Sequence, residues 1–253
     1  MDKIKSFDDQ DWKNLVSEFK ERVEKDKKLG IDSVFLPNPE ICPNPDYILV
    51  GMEPSTPRED RINFFPLFLH YCAHKYLCRG EFKYYITDLG KGAMPTEVAK
   101  NTREKRYPVW LPLFEKEWEL LGKPKIIVMS SEIYYKHIKG RFENKKDKDG
   151  GRPDYVLHYS TANCSHLITE YKKYILPQSN SYKLDEAEFK EFVDKLKDHL
   201  KRNEHLGPKY EAALNNSELM EETLNMPNNR EIVFPLYSFD FEQVAKGKKI
   251  PHL

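Results

Sequence analysis

The stretch Tyr47-Ile48-Leu49-Val50-Gly51-Met52-Glu53-Pro54-Ser55 decides the fold. Four apolar residues follow one another without polar alternation, as in a strand buried on both faces. Gly51 stops the run, and Pro54 stiffens the turn behind it. Upstream, Pro37, Pro39, Pro43 and Pro45 mark an extended entry. Three similar runs recur at Tyr84-Tyr85-Ile86-Thr87, Ile126-Ile127-Val128-Met129 and Tyr155-Val156-Leu157. Helical spacing lies between them, clearest at Leu111 to Leu121 and Ser131 to Ile138. Strands alternating with helices predict an α/β fold with a parallel sheet and crossover connections. Ligands of open parallel sheets bind beyond the carboxyl ends of the strands. The candidate positions are therefore Gly51 to Ser55, Asp88 to Lys91, Ser130 to Glu132 and His158 to Asn163.

Outward from this centre, Asp8 to Lys27 carries Trp12, Leu15, Val16, Phe19 and Val23 at helical spacing. Leu184 to Arg202 is a second amphipathic helix, with Phe189, Phe192, Val193, Leu196 and Leu200 on one face. Asn203 to Asn229 is polar and turn-rich, and order resumes at Ile232-Val233-Phe234 and Tyr237 to Val244. The expected organisation is an α/β domain over 1–202, including the N-terminal helix, and a C-terminal appendage over 203–253 packed on it. The length of 253 residues suits that arrangement.

Apolar residues make up 39% and charged residues 32%, a globular profile. Lys plus Arg equals Asp plus Glu at 41 each, which argues against coating nucleic acid by bulk charge. A local basic face remains open: Lys136, Lys139, Arg141, Lys145, Lys146, Lys148 and Arg152 crowd one segment, which a solvated loop also explains. Aromatics at 13% suit a core, and equally a site that stacks planar ligands. The cysteines at 42, 72, 78 and 164 fit neither a zinc ribbon nor a disulfide framework, so free thiols in a reducing cytoplasm are expected. His70, His74, Cys72 and Cys78 tempt as a metal cluster, but core packing is the commoner use, and no metal or cofactor is expected. The charged N-terminus is no signal peptide, no apolar run approaches a membrane span, and a monomer is expected.

The strand-end motifs, taken in order, resemble the uracil-DNA glycosylase superfamily. Gly51-Met52-Glu53-Pro54-Ser55 is similar to its first motif, Gly-x-Asn-Pro-Gly or Gly-x-Asp-Pro-Tyr, with Glu at the third position. Val156-Leu157-His158-Tyr159-Ser160 is similar to its last, a strand followed by His-Pro-Ser, with Tyr in place of Pro. Thr87-Asp88-Leu89 stands where many members carry Thr-Asn or Leu-Asn. The likeness covers roughly Pro45 to Tyr174. It implies a four-stranded parallel sheet in a three-layer α/β/α sandwich, and a base-flipping hydrolase acting on DNA. Some members hold an iron–sulfur cluster through four cysteines, but the spacings here do not match.

The residue chemistry agrees with that implication. Breaking a C1′–N bond passes through an oxocarbenium-like sugar. Glu53 offers a carboxylate to stabilise it and orient water; the other reading is a helix-end cap. His158 offers a donor to the departing base; the other reading is a histidine satisfied at a strand end. Phe64 and Phe65 lie where the resembled family stacks an aromatic on the base, and Met52 sits beside the carboxylate; two core phenylalanines are the alternative. Ser55, Lys91, Ser160, Thr161 and Asn163 are candidate DNA contacts, the hydroxyls being N-cap candidates as well. Leu167 is a candidate wedge for the vacated stack. An ionised Asp88 only accepts hydrogen bonds, so it would repel O4 of uracil and welcome the amino group of a cytosine. A modified cytosine, as in phage DNA, is the expected target unless Asp88 only caps its turn. The alternatives are a uracil or mismatch glycosylase, a glycosylase-like protein that only binds nucleic acid, and a small-molecule hydrolase. The last lacks a Gly-x-Ser-x-Gly elbow, a P-loop and a Gly-x-Gly-x-x-Gly.

Overall fold

Helix α1 (Gln10–Lys27) opens at Asp9, whose side chain accepts the Asp11 amide at 3.1 Å. Its apolar stripe, Trp12, Leu15, Phe19 and Val23, is buried. Asp26 is buried on the same helix and satisfied by Arg22 at 2.6 Å and by the Trp110 indole N–H at 3.0 Å. The computed structural model describes residues 7, 9–29, 33–35, 41–54, 65–156, 169, 171–201, 221, 224–225, 229–248 and 250. Contacts divide the chain into two units, Met1–Asp60 with Lys83–Tyr155, and Arg61–Phe82 with Val156–Leu253.

The first unit holds the sheet. Strands β1 (Val34–Phe35) and β4 (Gly92–Ala93) form an antiparallel pair. Strands β2 (Tyr47–Gly51), β3 (Tyr84–Asp88), β5 (Lys125–Val128) and β6 (Asp154–Tyr155) form a four-stranded parallel sheet in the order β3-β2-β5-β6. Tyr47 pairs with Tyr84 and Gly51 with Asp88, while Val50 pairs with Val128 on the other side. Side chains alternate across a strand. Ile48, Val50, Tyr85, Ile126 and Val128 join one core with Trp12, Phe19, Trp110 and Phe114. Leu49, Tyr84 and Ile127 point to the opposite face and are fully buried as well. A parallel sheet covered on both faces by flanking helices is the arrangement of a three-layer α/β/α sandwich.

Helix α3 (Thr96–Leu120) begins far before the expected start near Leu111. Pro108 and Pro112 sit inside it, and each removes a backbone donor. Those prolines and the charges from Glu97 to Arg106 hide its period in the sequence. Packing reveals it: Tyr107, Trp110, Phe114 and Trp118 are buried in the core with α1. After β5, helix α4 (Ser131–Ile133) is capped by the Ser130 hydroxyl and continues through a π turn (Tyr134–Ile138) into α5 (Lys139–Phe142).

The second unit is helical among its described residues. Helix α2 (Phe65–Cys72) runs into a π turn (Ala73–Leu77). The helices Glu186–Lys201 and Phe234–Ala245 belong to the same unit. The segment after 202, expected as an appendage, thus shares a unit with 61–82. Its core is aromatic: Tyr71 meets Phe189, Phe192 and Phe234 with ring centroids 5.2 to 5.7 Å apart. No helix of the described residues is long and apolar enough to cross a membrane.

His70 lies fully buried in this unit. Burial first, then the charge of His199, pushes its pKa from 6.5 down to about 3. The folded chain therefore keeps His70 neutral where the unfolded chain protonates it. Between those two values the unfolded state binds more protons, so stability falls as pH drops through that window. The slope from this group approaches about 1.4 kcal/mol per pH unit. Half-buried His74 is shifted in the same direction, chiefly by burial. In urea melts between pH 7 and 4.5, His70→Gln is expected to flatten this acid limb. An unchanged slope would place the effect elsewhere.

Candidate active site

The chain leaves β2 to build β3 on one side, then returns past it to build β5 on the other. Strand order reverses about β2, and ligands of open parallel sheets bind beyond such an end. Backbone bonds lace the strand ends there. Leu89 N–H donates to Gly51 O at 3.0 Å, Gly90 N–H to Met52 O at 2.9 Å, and Met129 N–H to Val50 O at 2.8 Å. A Cβ on Gly51 would fall 2.2 Å from Asp88 Oδ1, so only glycine leaves room for that carboxylate above the strand end. Gly51, Met52, Glu53 and Asp88 are thereby brought together.

Glu53 is 6% exposed and held from one side of α3. Its Oε1 accepts from Arg103 Nε at 3.1 Å and Nη2 at 2.7 Å. Its Oε2 accepts from the Tyr107 hydroxyl in a short bond and from Arg106 Nη2 at 3.4 Å. The spacing 103, 106, 107 puts these three side chains on one helix face. Burial alone would lower the pKa of Arg103, but the hydrogen bond and charge of Glu53 outweigh it and raise it. Burial, then the Glu53 charge, raises the Tyr107 phenol well above its ordinary value. Tyr107 therefore stays protonated and donates a hydrogen bond to the carboxylate.

Arg106 is fully buried. It also bonds Thr102 Oγ1 at 2.9 Å and Ala99 O at 3.1 Å, while its Nη1 faces Gly90 and meets no hydrogen-bond partner among the described residues. Arg103 is 13% exposed and reaches toward Glu132 in α4, at 3.9 Å. Of the two guanidiniums, Arg103 is the more exposed, at 13% against 0%. His137 packs edge-on against Tyr107 at 5.1 Å, and burial, then Lys136, lowers its pKa. The arrangement is a carboxylate whose four acceptor positions are engaged by Arg103, Arg106 and Tyr107, so it accepts from a water only where one of these gives way.

No model of a known protein family matches the chain, and no curated protein sequence does. The site must be read from its own residues.

Lys91, expected among the DNA contacts, is placed inside. Its ammonium bonds both Glu117 oxygens at 3.0 and 2.8 Å, Asp88 O at 2.8 Å and the Thr87 hydroxyl, with the side chain 5% exposed. A buried ammonium so engaged braces the β3 end and does not meet a phosphate. His158, Phe64, Ser55, Ser160, Thr161, Asn163 and Leu167 lie outside the described residues, as does the side chain of Phe65 at the start of α2. Among the described residues no group of three His, Cys, Asp or Glu side chains is placed to hold a metal ion. Cys72 contacts Ser238 at 3.7 Å instead.

Sequence reasoning missed Arg103, Arg106 and Tyr107. The run Arg103-Glu104-Lys105-Arg106 reads as a solvated charged face. The available signal was the series 103, 106, 107, 110 and 114, which continues the helical spacing of Trp110 and Phe114 through two arginines.

Proposed function

We propose that the chain is a monomeric, cytoplasmic DNA glycosylase that needs no cofactor and excises a flipped modified cytosine, in defence against phage DNA. One observation carries this reading: the register pairs Gly51 with Asp88, so that Asp88 and Glu53, two residues past Gly51, stand at the same end of the sheet at its reversal point. The ordered strand-end motifs and the four-stranded parallel sheet support it further.

In the proposed reaction the C1′–N bond breaks and its electron pair leaves with the base. Glu53 stabilises the oxocarbenium-like sugar, and water oxygen bonds to C1′. His158 donates to O2 of the departing base. The proton lost by water neutralises the base, and an abasic site remains. Asp88 selects the exocyclic amino group of cytosine over O4 of uracil.

The test is a base-release assay on DNA carrying uracil, cytosine, hydroxymethylcytosine or glucosylated hydroxymethylcytosine, read as free base by mass spectrometry. Asp88→Asn is expected to shift release toward uracil by tenfold or more, since a mispaired polar group in a site built to bond its ligand is strongly rejected. An unchanged preference removes Asp88 from base selection.

A second reading has its own support. All lone pairs of Glu53 are engaged by Arg103, Arg106 and Tyr107, as in a structural ion cluster. On that reading the fold binds nucleic acid without chemistry, and no DNA releases a base.

A further inference from the structure

The basic run from Lys136 to Arg152 is sorted by the fold. Arg141 and Lys145 are taken up by Glu115, and Lys148 by Asp46 at 2.5 Å. Lys136, next to Tyr135 in the chain, and Lys139, over the Tyr135 ring, fall elsewhere. Tyr134, in the π turn after α4, stacks on Tyr155 of β6 with ring centroids 4.6 Å apart. Tyr135 stands edge-on to both rings, at 5.1 and 5.3 Å, and its hydroxyl meets that of Tyr155 at 2.9 Å.

Tyr135 is held from two sides and still 56% exposed. A rotamer so constrained loses little freedom when it binds a flat ligand. Lys139 Nζ stands 5.5 Å from the Tyr135 ring centroid. Among the described residues Lys136 is paired with exposed Glu132, at 3.1 Å. Such a surface pair is worth little, so a phosphate can take Lys136 from it.

We propose that Tyr135, backed by Tyr134 and Tyr155 and flanked by Lys136 and Lys139, is a stacking shelf for an unpaired base of single-stranded nucleic acid. An unpaired base presents a bare π-face that a duplex interior does not, and an adjoining phosphate meets the ammonium groups. An acidic protein would engage the cations but would gain nothing from an exposed phenol ring. The shelf rests on its own residues and not on the glycosylase reading. If both hold, it tethers a strand beside the site.

Anisotropy titrations with a labelled single-stranded 20-mer and the matching duplex test it on the full chain. Tyr135→Ala is expected to weaken single-strand binding roughly tenfold, the scale of one base–aromatic stack, and duplex binding far less. Tyr135→Phe should bind within about twofold of wild type, because stacking and not the hydroxyl carries the contact. Lys139→Ala should reduce the salt slope by about 0.7, as loss of one phosphate contact from a single strand does. Lys116→Ala, at an exposed ion pair with Glu18, serves as the unaffected control. Tyr135→Ala binding that matches wild type overturns the shelf. So does a polyglutamate competitor that displaces the oligonucleotide while Tyr135→Ala changes nothing. Weakened binding by Tyr135→Ala in a protein that releases no base from any DNA leaves the shelf standing and removes the glycosylase reading. Base release with unchanged Tyr135→Ala affinity does the reverse.

Discussion

Glu53→Gln is expected to abolish base release, by at least about a hundredfold, while oligonucleotide binding stays near wild type. The fold-change follows from removing a preorganised charge at the position where positive charge develops. The same substitution carries a stability cost that separates it from a simple active-site change. Glu53 is the shared acceptor of Arg103, Arg106 and Tyr107, and Arg106 is fully buried. A guanidinium does not deprotonate in proteins, so it remains charged after the substitution and loses its counter-ion. Breaking a buried pair from one side costs about 3–5 kcal/mol, of which partly accessible Arg103 recovers some through water. Single-turnover release and thermal melting together decide the matter. A variant that melts early yet releases base within threefold of wild type makes Glu53 a structural ion and leaves the glycosylase proposal without its carboxylate.

Glu117→Gln is expected to have the largest effect on stability. Glu117 and Lys91 are 1% and 5% exposed, with both carboxylate oxygens on the ammonium and the Tyr85 and Thr87 hydroxyls closing the network at 3.0 and 2.9 Å. The orphaned ammonium costs about 3–5 kcal/mol. For a chain of this size that corresponds to a fall in Tm of roughly 6–20 °C by calorimetry. The apolar pair Lys91→Met with Glu117→Leu should recover much of the loss, because it leaves no unpaired charge. A Glu117→Gln melt within 2 °C of wild type would show that the pair contributes no net stability. Lys91 also holds the Asp88 carbonyl at 2.8 Å, so the same variant should loosen base selection.

The strands were legible where their runs were apolar and bounded. Tyr47–Gly51, Tyr84–Asp88 and Lys125–Val128 lie within a residue of the expected runs, and the helices Gln10–Lys27 and Glu186–Lys201 follow from their stripes. Of the strand expected over Tyr155-Val156-Leu157, Tyr155 falls in Asp154–Tyr155, Val156 follows its end, and Leu157 lies outside the described residues. Helix α3 was read only in its second half. Its first turns carry charged residues that pair inward, and propensity arguments count internal prolines against a helix that tertiary packing nevertheless sustains.

Period and punctuation are local properties, so the chain alone determined the main elements, the parallel class of the sheet and where its long strands end. It placed Glu53 and Asp88 at neighbouring ends because a glycine or an acid after a buried run is visible in one dimension. Which charges meet is not a local property. Arg103, Arg106 and Tyr107 reach Glu53 across some fifty positions, and Glu117 reaches Lys91 across 26. Lys91 looked like a phosphate contact and became a buried brace, while part of a basic run that looked like loop became the rim of a tyrosine shelf. Burial converts a charged side chain from a surface group into one that must find its counter-ion, and only the folded chain brings those partners within reach.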